Sequence, residues 1–438
     1  MQDEYEGLVE KLGQEIADAI LKKEPELAKR ARLIDKEVAE VLRQAGQAAM
    51  LVIFAMVGAQ LTGEAQAAGL TVQSRPVITY NVIFGPIEVE SPYLWKKGEG
   101  CKPVRDRMGL THNGRSEAVE RALTEFGIED SFELAARRFE EHYGWPVDQS
   151  TVRRVTESVA AESERYVEHR LEEERKAYDL PLEDRPGVDQ LVVELDGCKI
   201  RTGVLVAEEA VDGKSSEKRH RVIDWSEVRI GLATDLDGQE KEYVGRADTY
   251  PPIVRQLFSL AVKQGLSRQT EVIAVADGGN GIREELERQF PRIRFVLDQP
   301  HLKKHLYTAA EAKGLEAEPR KKWVEEKLEL INAGKALEAL EQVRQEYRDT
   351  SVDDLRKLVG YLEKFQDAID YGKFKEEGLP IGSGEVESAH RYVPQKRLKL
   401  PGATWRPEMI NPMVSLRVLR ADDWWKDFWD KRASKAAA

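Results

Sequence analysis

The chain has only two cysteines among its 438 residues, Cys101 and Cys198, and they stand in unrelated contexts. That excludes a disulfide framework and any CxxC zinc site, and it fits a reducing cytoplasm. A positive charge excess is also lacking: 67 Lys and Arg face 79 Asp and Glu, for a net charge of −12. The chain is therefore no polycation, and any nucleic-acid contact must come from local basic patches. No internal repeat or low-complexity tract occurs. The apolar run at 46–59, GQAAMLVIFAMVGA, is too short to span a bilayer and too far from the N-terminus for a signal peptide. It predicts a buried helix. The rest is globular and charged, with a length suited to roughly three domains.

Three runs share one pattern. Gln190–Arg201 is QLVVELDGCKIR, Val272–Ile282 is VIAVADGGNGI, and Arg294–Leu306 is RFVLDQPHLKKHL. Each opens as an apolar stretch rich in β-branched residues, which suits a buried strand. The apolar stretches end on Asp196, Asp277 and Asp298. Gly278, Gly279 and Gly281 after Asp277 predict a turn that a large ligand approaches closely. His301, Lys303, Lys304 and His305 follow Asp298 at a basic helix start. A fourth run, Ile381–His390 (IGSGEVESAH), carries Glu385 and Glu387 into a helix. Ends of strands in open sheets are where chemistry collects.

In chain order, residues 1–70 predict helices, with Leu8, Leu12, Ile16 and Ile20 on one face and a break at Pro25. They serve as a cap or an oligomerisation element. Residues 71–160 predict a DNA-binding region. It begins with a hairpin, through Val77, Thr79, Asn81 and Ile83, a Gly85-Pro86 turn, then Ile87, Val89 and Ser91. Two helices follow, Ser116–Phe126 and Ser131–Tyr143. A third begins near Ser150 and turns Arg153 and Arg154 outward. The break at Gly144-Trp145-Pro146 suits a helix-turn-helix, and equally an ordinary three-helix bundle. Residues 161–189 predict a charged linker helix ending at Pro181 and Pro186.

Residues 190–301 predict strands at 190–201, 202–209 and 221–234, with a charged tip at Asp212–Arg219. A helix after Pro252 comes next, then the strand into Asp277, a helix and the strand into Asp298. That is the layout of a ribonuclease H-like α/β domain with a mixed sheet. It would place Asp196 on the central strand and Asp277 at the end of the adjacent one. Residues 302–380 predict an all-helical insertion. Residues 381–438 return to the catalytic core with a helix and a basic, aromatic tail, in which Trp424 and Trp425 are expected in the core.

Oxygen ligands without histidine or cysteine point to Mg²⁺ or Mn²⁺. Two such ions about 3.5–4 Å apart clamp the attacking and leaving oxygens of a phosphoryl transfer. Lys303, Lys304, Arg391, Lys396, Arg397, Lys399 and Arg406, with Arg153 and Arg154, are the candidate DNA contacts. Asp277 and Asp298 both remain candidates for the second ligand, as do Glu385 and Glu387 for the glutamate. His301 would orient a carboxylate or pass a proton.

The strings LDGCKIR, ADGGNGI, LDQPHLKKHL and IGSGEVESAHR resemble the DDE transposases of prokaryotic insertion sequences. The resemblance is to the ISKra-type group, related to Mutator-like transposases, and spans about 72–420. It implies a metal-binding triad of Asp196, Asp277 and Glu387, with Asp298 and His301 as an accessory (C/D)xxH motif. It also implies two Mg²⁺ or Mn²⁺ ions, and binding of terminal inverted repeats followed by cleavage and strand transfer into target DNA. A homodimer or larger synaptic assembly in the cytoplasm, at the nucleoid, would do this, with no membrane partner. Relatives carry paired cysteines near the hairpin. Here only Cys101 remains there, so no zinc is expected. The alternatives are a ribonuclease H-like nuclease or resolvase without strand transfer, and a transposase-derived DNA-binding regulator.

Overall fold

The computed structural model describes residues 2–23, 31–111, 113–180, 187–207 and 219–437. The expected features at Pro25, at Pro181 and Pro186, and at 208–218 lie outside the described residues. The chain divides into two compact units, 1–156 and 157–438. The architecture is mixed α/β, with three sheets and many helices.

The first unit begins with helices α1 (Gln2–Lys23) and α2 (Ala31–Ala67). The apolar run at 46–59 lies in α2 but is not buried: Val52 is 58 % and Met56 68 % exposed. At 100° per residue a continuous apolar run wraps the whole helix, and only one stripe can find a partner. That stripe holds Met50 and Phe54, which pack on the buried Ile78, Val82, Ile87 and Val89. Gly46 and Gly58 on the same stripe leave room for Phe84 and Val104. The expectation of a short run also changes, because Ile34–Ala67 is long and apolar enough to cross a membrane by length and composition.

The hairpin is β2 (Val77–Val82) against β3 (Gly85–Glu90), preceded by β1 (Thr71–Ser74). Ile87, Val89 and Ser91 are buried as expected, but the inward phase of β2 is offset by one residue from the expected set. Ile78 and Val82 are buried, whereas Val77 is exposed. The turn falls at Ile83–Phe84, because Gly85 and Pro86 already pair with Val82 and Asn81. Then come β4 (Tyr93–Lys96), β5 (Glu99–Cys101), α3 (Pro103–Arg107) and β6 (Gly114–Arg115). Ser116 caps α4 (Glu117–Gly127) and Ser131 caps α5 (Phe132–Tyr143) through their side-chain oxygens. Gly144, at φ 73°, ends α5 in the left-handed conformation. Helix α6 (Gln149–Lys176) is one continuous element, so the expected third helix and linker helix are the same helix.

The second unit is built on the five-stranded sheet β11-β10-β7-β8-β9. Strand β7 (Gln190–Ala207) merges two expected strands into one of 18 residues. Strand β8 (Arg219–Thr234) pairs with it antiparallel, and the short β9 (Glu242–Arg246) supplies the third strand, which the sequence did not suggest. Helix α7 (Tyr250–Lys263), with Pro251 and Pro252 in its first turn, leads to β10 (Glu271–Ala276). Helix α8 (Ile282–Gln289) and β11 (Ile293–Leu297) complete the sheet. Strands β10 and β11 run parallel to β7. Val272 to Ala276 are all buried, as in a strand covered on both faces.

Helices α9 (Gln299–Ala312), α10 (Ala317–Asn332), α11 (Ala336–Thr350), α12 (Asp353–Lys364) and α13 (Tyr371–Glu376) follow β11. Then α14 (Gly384–His390) runs through a π-helical turn at 391–395 into α15 (Lys396–Leu398). Helices α16 (Ile410–Ala421) and α17 (Trp425–Ala437) close the chain, with Trp424, Trp425 and Trp429 buried.

Candidate active site

Strand register builds the site. Ala276 pairs with Leu195 on one side and with Leu297 on the other. One residue further along, Asp277 therefore lies between Asp196 and Asp298. In parallel strands in register, such residues point to the same face. The three aspartates form a row across the sheet.

Their environments differ. Asp298 is fully buried. One carboxylate oxygen accepts from the Ser383 N–H at 2.7 Å and the Ser383 hydroxyl at 2.9 Å. The other accepts from the His301 N–H at 2.8 Å and meets His301 Nδ1 at 2.7 Å. Four hydrogen bonds use the acceptor capacity of a carboxylate. Burial alone would push its pKa up, but the bonds from His301 and Ser383 outweigh it and hold Asp298 below the usual range. The same contact raises the His301 pKa. Asp298 thus carries His301 and does not face the open site.

With Nδ1 engaged by Asp298, Nε2 is the nitrogen that His301 can offer to a ligand. Asp196, Asp277 and His301 each offer a ligand atom, and these atoms lie within 4.8 Å of one another. Two carboxylate oxygens and an imidazole held from behind by a carboxylate fit one divalent cation. Asp277 is steadied by the Gly279 N–H at 3.0 Å. Gly278 is also required by packing within the protein. A Cβ there would run into the ring of Tyr361. Tyr361 in turn lies against His305, ring centroids 4.2 Å apart.

Glu387 is exposed on α14 and stands outside the Asp196, Asp277, His301 group. Glu385 is ion-paired with Lys241 at 2.7 Å. The helix bearing both is tied to the sheet by Glu194, which accepts the Val386 N–H at 2.8 Å. Burial pushes the Glu194 carboxyl up to about 7, against the lowering effect of that bond. One turn after Glu387, the buried His390 places Nε2 3.6 Å from Asp196 Oδ2. That is too long for a hydrogen bond, and this nitrogen has no hydrogen-bond partner among the described residues.

Glu194, Ser383 and His390 were not singled out in the sequence. Glu194 had a signal, as a lone ionisable residue inside LVVEL. Ser383 and His390 had none beyond belonging to the GSGEVESAH string.

Of the basic candidates, Lys303, Lys304, Arg391, Lys396 and Lys399 are exposed in the second unit. Arg397 is not a surface contact. It is 3 % exposed, and its guanidinium stacks 4.7 Å from the Trp405 ring centre. Arg406 is exposed but paired with Glu157 at 2.9 Å. In the first unit Arg153 and Arg154 are both exposed, and Arg154 bonds back to Ser150 and Thr151.

Among known proteins, the chain is similar to the "UPF0236 protein in vanSb 3'region" of Streptococcus gallolyticus. The two are 24 % identical over 358 residues, covering 79 % of this chain and 72 % of that protein. Among solved structures it is similar to a "Drosophila P element transposase strand transfer complex", with a TM-score of 0.26 and 11 % identity, covering 76 % of this chain and 83 % of that one. The family model matched over residues 31–433 is that of UPF0236, an uncharacterised protein family, and the chain belongs to that family.

Proposed function

We propose that this protein is a DNA transposase whose ribonuclease H-like core performs metal-dependent phosphoryl transfer. The observation that carries this is the meeting of Asp196 on β7, Asp277 just past the end of β10 and His301 in the first turn of α9. Asp196 and Asp277 would hold Mg²⁺ or Mn²⁺, with His301 Nε2 as a third ligand. When bound, such ions lower the pKa of an attacking water or 3′-hydroxyl and neutralise the departing alkoxide. A second ion would draw on Glu387. Asp298 keeps the His301 ring oriented. Lys303, Lys304, Arg391, Lys396 and Lys399 would hold the phosphate backbone beside the carboxylates. The strand order, with three antiparallel strands followed by two parallel ones, supports the ribonuclease H-like assignment.

The position of Glu387 outside the cluster favours, as a second reading, a nuclease without strand transfer. One experiment separates the two. Labelled duplexes carrying the termini of the encoding element are incubated with Mg²⁺ or Mn²⁺ and the wild type, Asp196→Ala, Asp277→Ala or Glu387→Ala. Cleavage at the boundary by wild type alone, with joining of a pre-cut end to target DNA, is the expected result. Cleavage without joining would leave the nuclease. Binding without cleavage in either metal would leave a DNA-binding regulator.

A further inference from the structure

Strands β7 and β8 continue well past their sheet. The neighbour β10 pairs with β7 only as far as Leu195, and β9 pairs with β8 only from Arg229 to Ala233. Yet β7 and β8 stay paired out to Ala207 and Arg219. Around Thr202 the ribbon is held to Trp405 through backbone bonds of Arg201 and Gly203, and beyond it the outer part is a two-stranded ribbon with no third strand among the described residues.

Residues opposite each other in an antiparallel pair share a face. Arg201 lies opposite Trp225, Leu205 opposite Arg221, and Ala207 opposite Arg219. One face of the ribbon thus gathers three arginines and a tryptophan. Trp225 is 57 % exposed. None of the three arginines has an ion-pair partner among the described residues, whereas Arg229 at the base of the ribbon is paired with Glu227 at 2.7 Å. Arg219 and Arg221 are about 6.8 Å apart along their strand and repel each other. In a chain of net charge −12, three arginines strung along one face of the ribbon, without an ion-pair partner among the described residues and with an exposed indole beside Arg201, are matched by a polyanion with apolar edges.

We propose that this ribbon is an arm that grips duplex DNA, with Arg201, Arg219 and Arg221 on phosphates and Trp225 against deoxyribose and base edges. The proposal rests on the function proposed above and adds a substrate contact to it. A two-stranded ribbon has the width to enter a major groove. The arm is continuous with the site, because β7 carries Asp196 five residues before Arg201.

The test uses the full chain and a labelled random-sequence duplex of about 30 bp, by fluorescence anisotropy in EDTA at about 50–200 mM salt. The combined variant Arg201→Gln, Arg219→Gln, Arg221→Gln is compared with wild type. A control neutralises Lys321, Lys322 and Arg348 on the helical segment. Thermal melting confirms that both variants fold. The arm variant should bind about tenfold or more weakly, and its log K against log salt slope should be shallower by about 2–3, at roughly 0.9 per lost phosphate contact. The control should change by less than about twofold. If wild type binds and the arm variant matches it in affinity and slope, the arm is wrong and the function proposed above survives. If wild type binds no duplex, both fail. If the variant keeps DNA binding but changes its sedimentation mass, the ribbon meets a second copy of the chain and the proposal is overturned.

Discussion

The Asp298 carboxylate lies 2.7 Å from Nδ1 of His301 and is wholly buried, so the third aspartate of the row supports the site from behind. A carboxylate in that position fixes the imidazole tautomer and makes the opposite nitrogen a better ligand.

Asp298→Asn should therefore weaken metal binding without removing it. The expected loss in Mn²⁺ affinity is about 10–100-fold, read by calorimetric titration. Asp277→Asn should lose a ligand outright and bind more weakly still. Equal affinities for Asp298→Asn and wild type would show that the contact does nothing for the metal.

His390 gives a second outcome. Its Nε2 faces Asp196 at 3.6 Å from within a buried pocket of α14. Replacing it with leucine removes an unpartnered buried Nε2 together with the ring's hydrogen bond to the Asp196 backbone, so stability should change by less than about 1 kcal/mol. DNA cleavage should still fall by about tenfold, because an apolar group would replace the imidazole that faces Asp196 Oδ2 at 3.6 Å. Full activity in a folded His390→Leu protein would make the residue structural only.

Gly278 should tolerate no side chain while Tyr361 is present. The methyl of Gly278→Ala overlaps the Tyr361 ring, and overpacking of this kind costs about 1–3 kcal/mol. Tyr361→Leu should relieve part of that cost, giving a coupling of about 1 kcal/mol in a double-mutant cycle by urea unfolding. Additive effects would mean that the turn after Asp277 adjusts elsewhere.

Asp422 predicts a pH dependence of stability. It is almost completely buried and accepts the Tyr243 N–H at 3.0 Å through one oxygen. Burial raises its pKa well above the ordinary carboxyl value, against that bond and the charges of Lys263 and Arg170. The folded state then keeps its proton after the unfolded chain, near about 3.9, has released it. Stability from this group is full below that pH and declines as pH rises towards the folded pKa. Asp422→Asn should flatten the decline and raise the melting temperature at neutral pH by about 2 °C or more. A steeper decline in the variant would contradict the assignment.

Much of the second unit was legible in the sequence because its strands are buried on both faces. Apolar runs that stop on an aspartate mark both the strand and its end, as at Ala276–Asp277 and Leu297–Asp298. Strand β9 was not legible, since five residues after a charged loop carry no period. The first strand of the hairpin was found with the wrong inward phase, because Val77 and Ile78 are equally apolar and only the partner helix selects between them. The run at 46–59 misled for a related reason. Composition records that residues are apolar, not how many sides of a helix find cover.

The sequence by itself determined the chemistry within reach of the site: three aspartates closing apolar runs, a histidine three residues after one of them, and a glutamate-bearing helix start. Residue type and local period settle such things, because they depend on neighbours a few positions away. The tertiary structure alone decided how the roles divide. Register across β7, β10 and β11 lined the aspartates up. Ser383, 85 residues from Asp298 in sequence, took up one oxygen of that buried carboxylate. Glu194 and His390 entered through packing of α14 on the sheet, and Arg397 left the surface for Trp405. Each is a contact between distant segments, where burial and hydrogen-bond saturation set what a side chain can still do.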